Sequence, residues 1–270
     1  MEDKLLVSVV VPTKNSENTL LRCLESVKNQ TYNKIEIITV DNASMDKTRE
    51  IAERFGEVYV KGPERSAQRN FGARKANGDY LLFIDSDMEL TPNVVEECVK
   101  KVLTEKLSGI IVPEISIGEG FWAKCKALEK SCYTEDEAIE APRFFEKRVF
   151  WEVGGYDEEM AGPEDWDLFL RIRKMGYDVS RINALIKHNE GRLSLYGSMM
   201  KKYCYGKTVN KYIKAHPHMA RKQLTMFRSA YFRNWRKLVK DPVHTLGLIA
   251  MKFCELGAGG LGLVRSRLRI

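Results

Sequence analysis

The stretch Tyr80-Leu-Leu-Phe-Ile84, followed at once by Asp85-Ser86-Asp87, decides the fold. Its five apolar residues are too few for a helix, and they read as a strand buried on both faces. Upstream, Val7-Ser-Val-Val-Val11, Ile35-Glu-Ile-Ile-Thr-Val40 and Glu57–Val60 read as further strands, and Gly109–Val112 follows as another. Between them run helical patterns. Leu20, Leu21, Leu24 and Val27 share one helix face, and Ile51, Ala52 and Phe55 share another. Thr91 and Pro92 fit the N-cap and first position of a helix running through Leu103. Strands separated by helices in this way predict an α/β fold with a parallel sheet between helical layers.

Sheets of this kind bind ligands beyond the carboxyl ends of their strands. The residues found there are Pro12-Thr13-Lys14-Asn15, Asp41-Asn42-Ala43-Ser44 and Asp85-Ser86-Asp87, a polar and acidic rim on apolar strands. Neither G-x-G-x-x-G nor G-x-x-x-x-G-K-[ST] occurs, so the two commonest glycine cradles for phosphate are absent. Two carboxylates on one loop suit a hard divalent cation that takes its remaining ligands from phosphate and water. The competing reading is an acidic turn that caps the helix after Thr91.

Composition narrows the class. The chain has 270 residues, 44% hydrophobic and 30% charged, which fits a folded domain rather than a disordered one. No uninterrupted run of about 18 uncharged apolar residues occurs, so a spanning helix is not expected. The first apolar run, Leu5–Val11, stops at Pro12 and is too short for a secretory core, so a cytoplasmic start is expected. The six cysteines form no C-x-x-C pair or metal-ligand spacing and read as reduced, mostly buried residues.

Two further clusters carry chemistry. Arg65 and Arg69 lie four apart, hence on one helix face. A guanidinium there stays charged and grips phosphate oxygens bidentately, whereas the plain alternative, favoured for Arg65, is a solvated face. Gly162-Pro163-Glu164-Asp165 opens a second helix, with Trp166, Phe169 and Leu170 as its apolar face. The helix N-terminus favours ionised carboxylates at Glu164 and Asp165, and an ionised Asp165 can serve as a general base. Helix stabilisation alone would equally explain both acids.

Taken together, Val7–Asn15, Val40-Asp41-Asn42-Ala43-Ser44-Met45-Asp46, Arg69-Asn70-Phe71-Gly72, Gly78-Asp79-Tyr80, Phe83–Asp87, Gly154-Gly155-Tyr156-Asp157 and Glu164-Asp165-Trp166-Asp167-Leu168 resemble family 2 glycosyltransferases of the GT-A fold. The resemblance covers residues 5–190. It implies a Rossmann-like mixed α/β sheet flanked by helices, and inverting transfer of one sugar from a nucleotide-sugar donor (UDP-, GDP- or dTDP-linked) with Mg²⁺ or Mn²⁺. Residue by residue, it assigns Pro12, Thr13, Asn15 and Asp41 to the nucleotide, with Asp41 accepting from the base. Asp85 would meet the donor ribose or sugar, Asp87 the metal, Arg69 and Asn70 the donor phosphates and sugar, and Asp165 would be the catalytic base. For Asp41 an Asx-turn, or a cap for a helix over Asp46–Phe55, is the alternative. GT-A enzymes also suggest His188 as a further metal ligand, against an exposed loop histidine. Residues 113–150 are where the family usually recognises its acceptor; the stripe Phe121, Trp122, Cys125, Leu128 and Cys132 reads as packing.

Charge divides the chain. Residues 197–240 hold twelve Lys/Arg and no Asp/Glu; residues 197–270 carry +14 and residues 1–196 carry −7, together the chain's +7. The expected organisation is a catalytic domain over 1–196 and a basic helical C-terminal extension over 197–270. His216 and His218, in that extension, read as surface loop residues. Farther along it, Leu238, Val239, Val243, Leu246, Leu248–Met251 and Phe253 lead an apolar end whose glycines weaken a deep helix. It reads as amphipathic, lying on an anionic membrane surface and bringing the enzyme to a lipid-linked saccharide from the cytoplasmic side. A helical cap or a dimer surface is the alternative, so an oligomer stays open. A nucleotide-sugar pyrophosphorylase would require a glycine-rich loop after the first strand, and Val11–Asn18 has no glycine. A nucleic-acid-binding protein would suit the basic tail and its aromatics but not the acidic first part, so no nucleic-acid partner is expected.

Overall fold

Val7, Val9 and Val11 bury on one side of the first strand and Val10 on the other, so the period-two alternation of a strand feeds two separate cores. The structure is a computed structural model describing residues 5–136, 138–226 and 228–268. The chain forms two compact units: residues 1–114, 141–158 and 168–188, and residues 115–140, 159–167 and 189–270. The expected boundary at 196/197 falls inside a helix, Leu195–Gly206.

In chain order the elements of the first unit are β1 (Val7–Thr13), α1 (Leu20–Lys28), β2 (Ile35–Asp41), α2 (Thr48–Ala52), β3 (Glu57–Val60), α3 (Arg65–Lys75), β4 (Tyr80–Phe83), β5 (Met88–Leu90), α4 (Val94–Glu105) and β6 (Gly109–Ile111). After β7 (Glu114–Glu119) and α5 (Phe121–Ser131), which lead into the second unit, come β8 (Phe144–Glu146), α6 (Lys147–Glu152), α7 (Glu164–Lys174), β9 (Val179–Arg181) and β10 (Ile186–Arg192). A seven-stranded sheet runs β3-β2-β1-β4-β8-β6-β9. It is mixed, because β8 is antiparallel to both β4 and β6 while the other pairs are parallel. One face buries Val7, Leu82 and Ile84 beneath α1, α2 and α4; the other buries Val10, Phe83 and Phe145 beneath α3, α6 and the later part of α7. Each of the five strands read from the sequence is present.

Two local differences and one close contact have physical causes. The helix expected from Thr91 begins at Val94, with Asn93 as its cap. Thr91 is held elsewhere: its hydroxyl bonds Leu185 O at 3.1 Å and accepts from Leu185 N at 3.0 Å. α2 starts at Thr48, whose N–H donates to Asp46 at 3.0 Å, and ends at Ala52, short of its periodic pattern, because the chain tightens there into a turn with Phe55 N bonding Ala52 O at 3.0 Å. In α3, a Cβ on Gly72 would stand 2.4 Å from Val10 Cγ1, so only glycine lets this helix settle so closely on β1.

The second unit adds α8 (Leu195–Gly206), α9 (Val209–Ala215), α10 (Pro217–Gln223), α11 (Ser229–Arg233), α12 (Trp235–Lys240) and α13 (Pro242–Arg267) to α5 and the first turn of α7. Cys125, Leu248 and Met251 form a small core with Trp122 and Leu238 packed on it; Cys132, Tyr133 and Ala230 form another. Trp122, Cys125 and Cys132 of the α5 stripe are therefore packing, as read, while Phe121 is 41% exposed. α13 corrects one expectation: its 26 residues are unbroken despite the glycines, and by length and composition alone it is apolar enough to cross a membrane. The glycines have a packing use: a Cβ on Gly206 would meet Gly259 O at 2.2 Å, and one on Gly262 would meet Tyr203 O at 2.1 Å, so α8 and α13 touch backbone to backbone. The His216 expectation is also overturned. Its Nε2 lies 2.8 Å from Asp167 Oδ1 and the side chain is mostly buried, because it joins α9 to α10 over the first turn of α7.

Candidate active site

β1, β2 and β4 end together at one edge of the first unit because they are parallel and in register; Thr13 faces Asp41 across β1 and β2. Asp41 is fully buried, and its carboxylate accepts from Thr13 Oγ1 at 3.1 Å, from Ser44 N at 2.8 Å and from the Ser44 hydroxyl. The carboxylate thus closes its own loop through Ser44, three residues on, rather than two residues on as in the Asx-turn expected as its alternative role. Asn15 takes a left-handed φ of 47°, which asparagine tolerates, and ties two rim loops together. Its N–H donates to Ser44 Oγ at 2.8 Å, and its Oδ1 accepts from Met45 N at 2.9 Å. Pro12 is buried at the end of β1. Ser16 Oγ and Ser86 Oγ, 2.8 Å apart, link the first loop to the Asp85-Ser86-Asp87 loop.

Asp85 is gripped by arginines. Arg69, completely buried on α3, places Nη2 2.7 Å from Asp85 Oδ1, and its guanidinium lies 5.1 Å from the Tyr156 ring centre. Arg65 Nη1 approaches Asp85 Oδ2 at 3.6 Å and Arg143 Nη1 approaches it at 3.9 Å. Burial would raise the Asp85 carboxyl, but Arg69, then Arg65 and Arg143, outweigh it and hold the group well below the usual carboxylate range. Arg65 is therefore not merely a solvated face residue, since its place one turn before Arg69 aims it at the same carboxylate.

Asp87, on the same loop, is different. Its side chain is 40% exposed, yet Oδ1 is buried and has no hydrogen-bond partner. Its Oδ2 lies 3.4 Å from His188 Nε2, and His188 Nδ1 lies 3.5 Å from Glu114 Oε2. The register of β10 against β5, His188 opposite Met88, brings this histidine to the loop. Glu114 Oε1 also accepts from Arg143 Nε at 2.5 Å. Among the described residues no three His, Cys, Asp or Glu side chains gather tightly enough to hold a metal by themselves. An unpartnered carboxylate oxygen beside a histidine fits a cation completed by phosphate and water, as Mg²⁺ and Mn²⁺ prefer.

Asn70 has another engagement. Its Nδ2 donates to Tyr156 O at 2.8 Å and Glu158 Oε1 at 2.9 Å, and its Oδ1 accepts from Tyr156 N at 2.9 Å. The amide thus clamps the Gly155–Glu158 loop rather than facing outward. Asp165 lies in the first turn of α7, within the second unit, between buried Glu164 and Asp167. Trp166 Nε1 donates to Ile139 O at 2.7 Å and fixes that turn. Sequence reading missed Glu114 and Arg143. Both sit in the stretch 113–150, where no spacing marks them, and only the antiparallel insertion of β8 beside β4 brings Arg143 to Asp85.

Residues 8–154 match the model of glycosyl transferase family 2, and residues 126–251 match that of glycosyltransferase like family 2. Similar curated proteins include glycosyltransferase GlyA of Streptococcus pneumoniae serotype 4, 37% identical over 110 residues, which are 38% of this chain and 16% of that protein. Another is chondroitin synthase of Pasteurella multocida, 26% identical over 190 residues, which are 63% of this chain and 19% of that protein. The chain thus spans well under half the length of these curated relatives. Among solved structures, the mannosyltransferase PcManGT from Pyrobaculum calidifontis, in complex with GDP-Man and Mn²⁺, superposes with a TM-score of 0.68 at 15% identity, covering 97% of this chain and 88% of that one. TarS of S. aureus in complex with UDP gives 0.56 at 15% identity, covering 98% and 92%. These likenesses show the fold. With its first 147 matched positions spanning the rim, the arginine clasp and the Asp85–Asp87 loop, the chain belongs to glycosyl transferase family 2.

Proposed function

We propose that the chain moves one sugar from a nucleotide-sugar donor to a saccharide hydroxyl, with inversion at the anomeric carbon and a requirement for Mg²⁺ or Mn²⁺. The observation that carries this reading is the pairing of opposites on one loop: Asp85 clasped by arginines, and Asp87 with a buried oxygen left unpartnered beside His188. Pro12, Thr13, Asn15 and Asp41 form the nucleotide end, where Asp41, already accepting three hydrogen bonds, keeps one acceptor site on Oδ2 for a base N–H. Arg65, Arg69 and Arg143 supply positive charge near the donor diphosphate, and Asp85 both orients them and meets the donor ribose. Asn70 contributes by holding the Gly155–Glu158 loop. Asp87 and His188 would hold the cation, which would supply positive charge to offset that of the donor diphosphate.

Asp165 takes the proton from the acceptor hydroxyl as that oxygen attacks the sugar carbon opposite the diphosphate. The helix N-terminus supports the ionised form this step needs. A positioned base of this type contributes typically about 10²–10⁴-fold. The acceptor is a lipid-linked saccharide reached at the cytoplasmic face of an anionic membrane, a reading supported by the twelve basic residues of 197–240. Family membership favours transfer over the pyrophosphorylase alternative.

The test is a screen of UDP-, GDP- and dTDP-sugars with Mg²⁺ or Mn²⁺, read by thermal shift and donor hydrolysis. A donor at 100 times its Kd adds about 2.7 kcal/mol of stability. A chain that is neither stabilised by nor active on any sugar nucleotide refutes the proposal.

A further inference from the structure

α13 has two faces of opposite character. Leu248, Met251, Lys252, Glu255, Ala258 and Gly262 point inward, and Val243, Leu246, Ile249, Phe253, Leu256 and Val264 point outward in one continuous stripe. The outer side chains are bare: Leu246 is 69% exposed and Phe253 62%. A contiguous apolar stripe of this length on a folded surface marks an interaction site. Among the described residues of α13 the only acid is Glu255, on the inner face, while Lys240, Arg265 and Arg267 are exposed at its two ends and Arg236 and Lys237 on α12.

The inner face settles how the stripe can be used. Lys252 Nζ lies 2.5 Å from Glu129 Oε1 and 2.7 Å from Glu255 Oε2. Lys126 Nζ lies 2.8 Å from Glu129 Oε2, and Ser198 donates to Glu255. Burial opposes ionisation of Glu129, but Lys126 and Lys252 hold it well below the usual carboxylate range. These mid-helix charges bind α13 to α5 and α8. A spanning α13 would either break this cluster or carry Lys252 and Glu255 into hydrocarbon, both unfavourable.

We infer that α13 lies in the plane of one leaflet of an anionic bilayer, its Leu246–Phe253 face immersed among acyl chains and its terminal lysine and arginine residues among the head groups. A second copy of the chain is the poorer occupant, because a two-fold contact through this stripe would bring one cationic border against another. The inference deepens the membrane-proximal reading above but stands on the geometry of α13.

Phe253 sits near the helix midpoint, which makes depth the deciding measurement. The full chain carrying Phe253→Trp is mixed with vesicles of phosphatidylcholine and phosphatidylglycerol in equal parts, with bromines placed either close to the head groups or at the acyl ends. The added indole fluorescence over the parent chain is then compared. An in-plane helix is quenched most by shallow bromines, and replacing phosphatidylglycerol by phosphatidylcholine lowers vesicle binding at least about tenfold. Leu246→Asp combined with Phe253→Asp, both at exposed positions, lowers it about as much with the melting temperature unchanged. Strongest quenching by deep bromines would overturn the inference in favour of a spanning helix. Absence of vesicle binding would overturn it as well, with a dimer mass by light scattering then assigning the stripe to a second copy. Donor hydrolysis is measured on the same preparation: vesicle binding without turnover of any sugar nucleotide would sink the catalytic proposal alone.

Discussion

Asp85 and Asp87 stand two residues apart, yet replacing each by asparagine should give opposite phenotypes. Asp85→Asn removes a charge from a pair with Arg69, which is wholly buried and 2.7 Å away. Breaking a buried pair of this kind costs about 3–5 kcal/mol. The more distant Arg65 and Arg143 contacts, at 3.6 and 3.9 Å, add less. At about 2–4 °C per kcal/mol for a protein of this size class, the melting temperature should fall by at least about 6 °C. Asp87→Asn removes a carboxylate that is 40% exposed, whose oxygen Oδ2 is 3.4 Å from His188 and whose Oδ1 has no hydrogen-bond partner. That change should alter stability by less than about 1 kcal/mol, while metal-dependent donor binding is lost. Thermal unfolding followed by far-ultraviolet circular dichroism, and calorimetric titration with the stabilising donor and Mn²⁺, separate the two. A double variant of Arg69→Met with Asp85→Asn should lose less than the sum of its parts, since the two groups interact directly. The reasoning fails if Asp85→Asn melts within about 1 kcal/mol of the parent, or if both variants lose stability equally. Because Asp85 titrates well below its ordinary range in the folded chain, its contribution should be constant above about pH 5 and decline only in strongly acidic solution.

Three other outcomes are expected. Asp165→Asn should bind donor like the parent and lose about 10²–10⁴-fold in transfer, measured with any accepted acceptor; transfer at the parental rate would remove Asp165 from the mechanism. Lys202, whose pKa burial and the neighbouring Lys126 lower to about 7, binds fewer protons folded than unfolded between about pH 7 and 10. The stability of the parent should accordingly rise with pH across that window, and Lys202→Met should flatten the rise and gain on the order of 2 kcal/mol at pH 6, after allowance for partial exposure; a steeper rise in the variant, seen in urea unfolding at several pH values, would contradict the assignment. Gly262→Val forces side-chain atoms into Tyr203 O, where even a Cβ stands at 2.1 Å, and should destabilise the second unit by about 1–3 kcal/mol or more; unchanged protease resistance of residues 195–267 would show that α8 and α13 are not in backbone contact.

Much of this protein follows from local pattern. Val7–Val11 and Tyr80–Ile84 are satisfied only inside a covered sheet, because apart from Ser8 and the Tyr80 hydroxyl nothing in them is polar, and the polar residues that follow each strand therefore fall on its rim. The positions of Thr13, Asp41, Asp85 and Asp87 were legible for that reason, as was the turn at Glu164–Asp165, where proline and two acids announce a helix start. What the side chains do there depends on neighbours distant in sequence. Asp41 and Asn70 read alike as polar residues for a ligand, but one bonds Thr13 and Ser44 and the other clamps a loop 86 residues further along. Arg143 and Glu114 have no motif of their own; β8 runs antiparallel to β4 and delivers Arg143 to Asp85, a consequence of strand order that no local spacing encodes. The tail shows the same division. Its basic charge and apolar period are properties of composition, whereas the glycines that should have weakened α13 instead admit the backbone of α8, and Lys252 and Glu255 find counter-charges on α5. A hydrophobic period shows that a helix has two faces; which face is buried is decided by what lies opposite it.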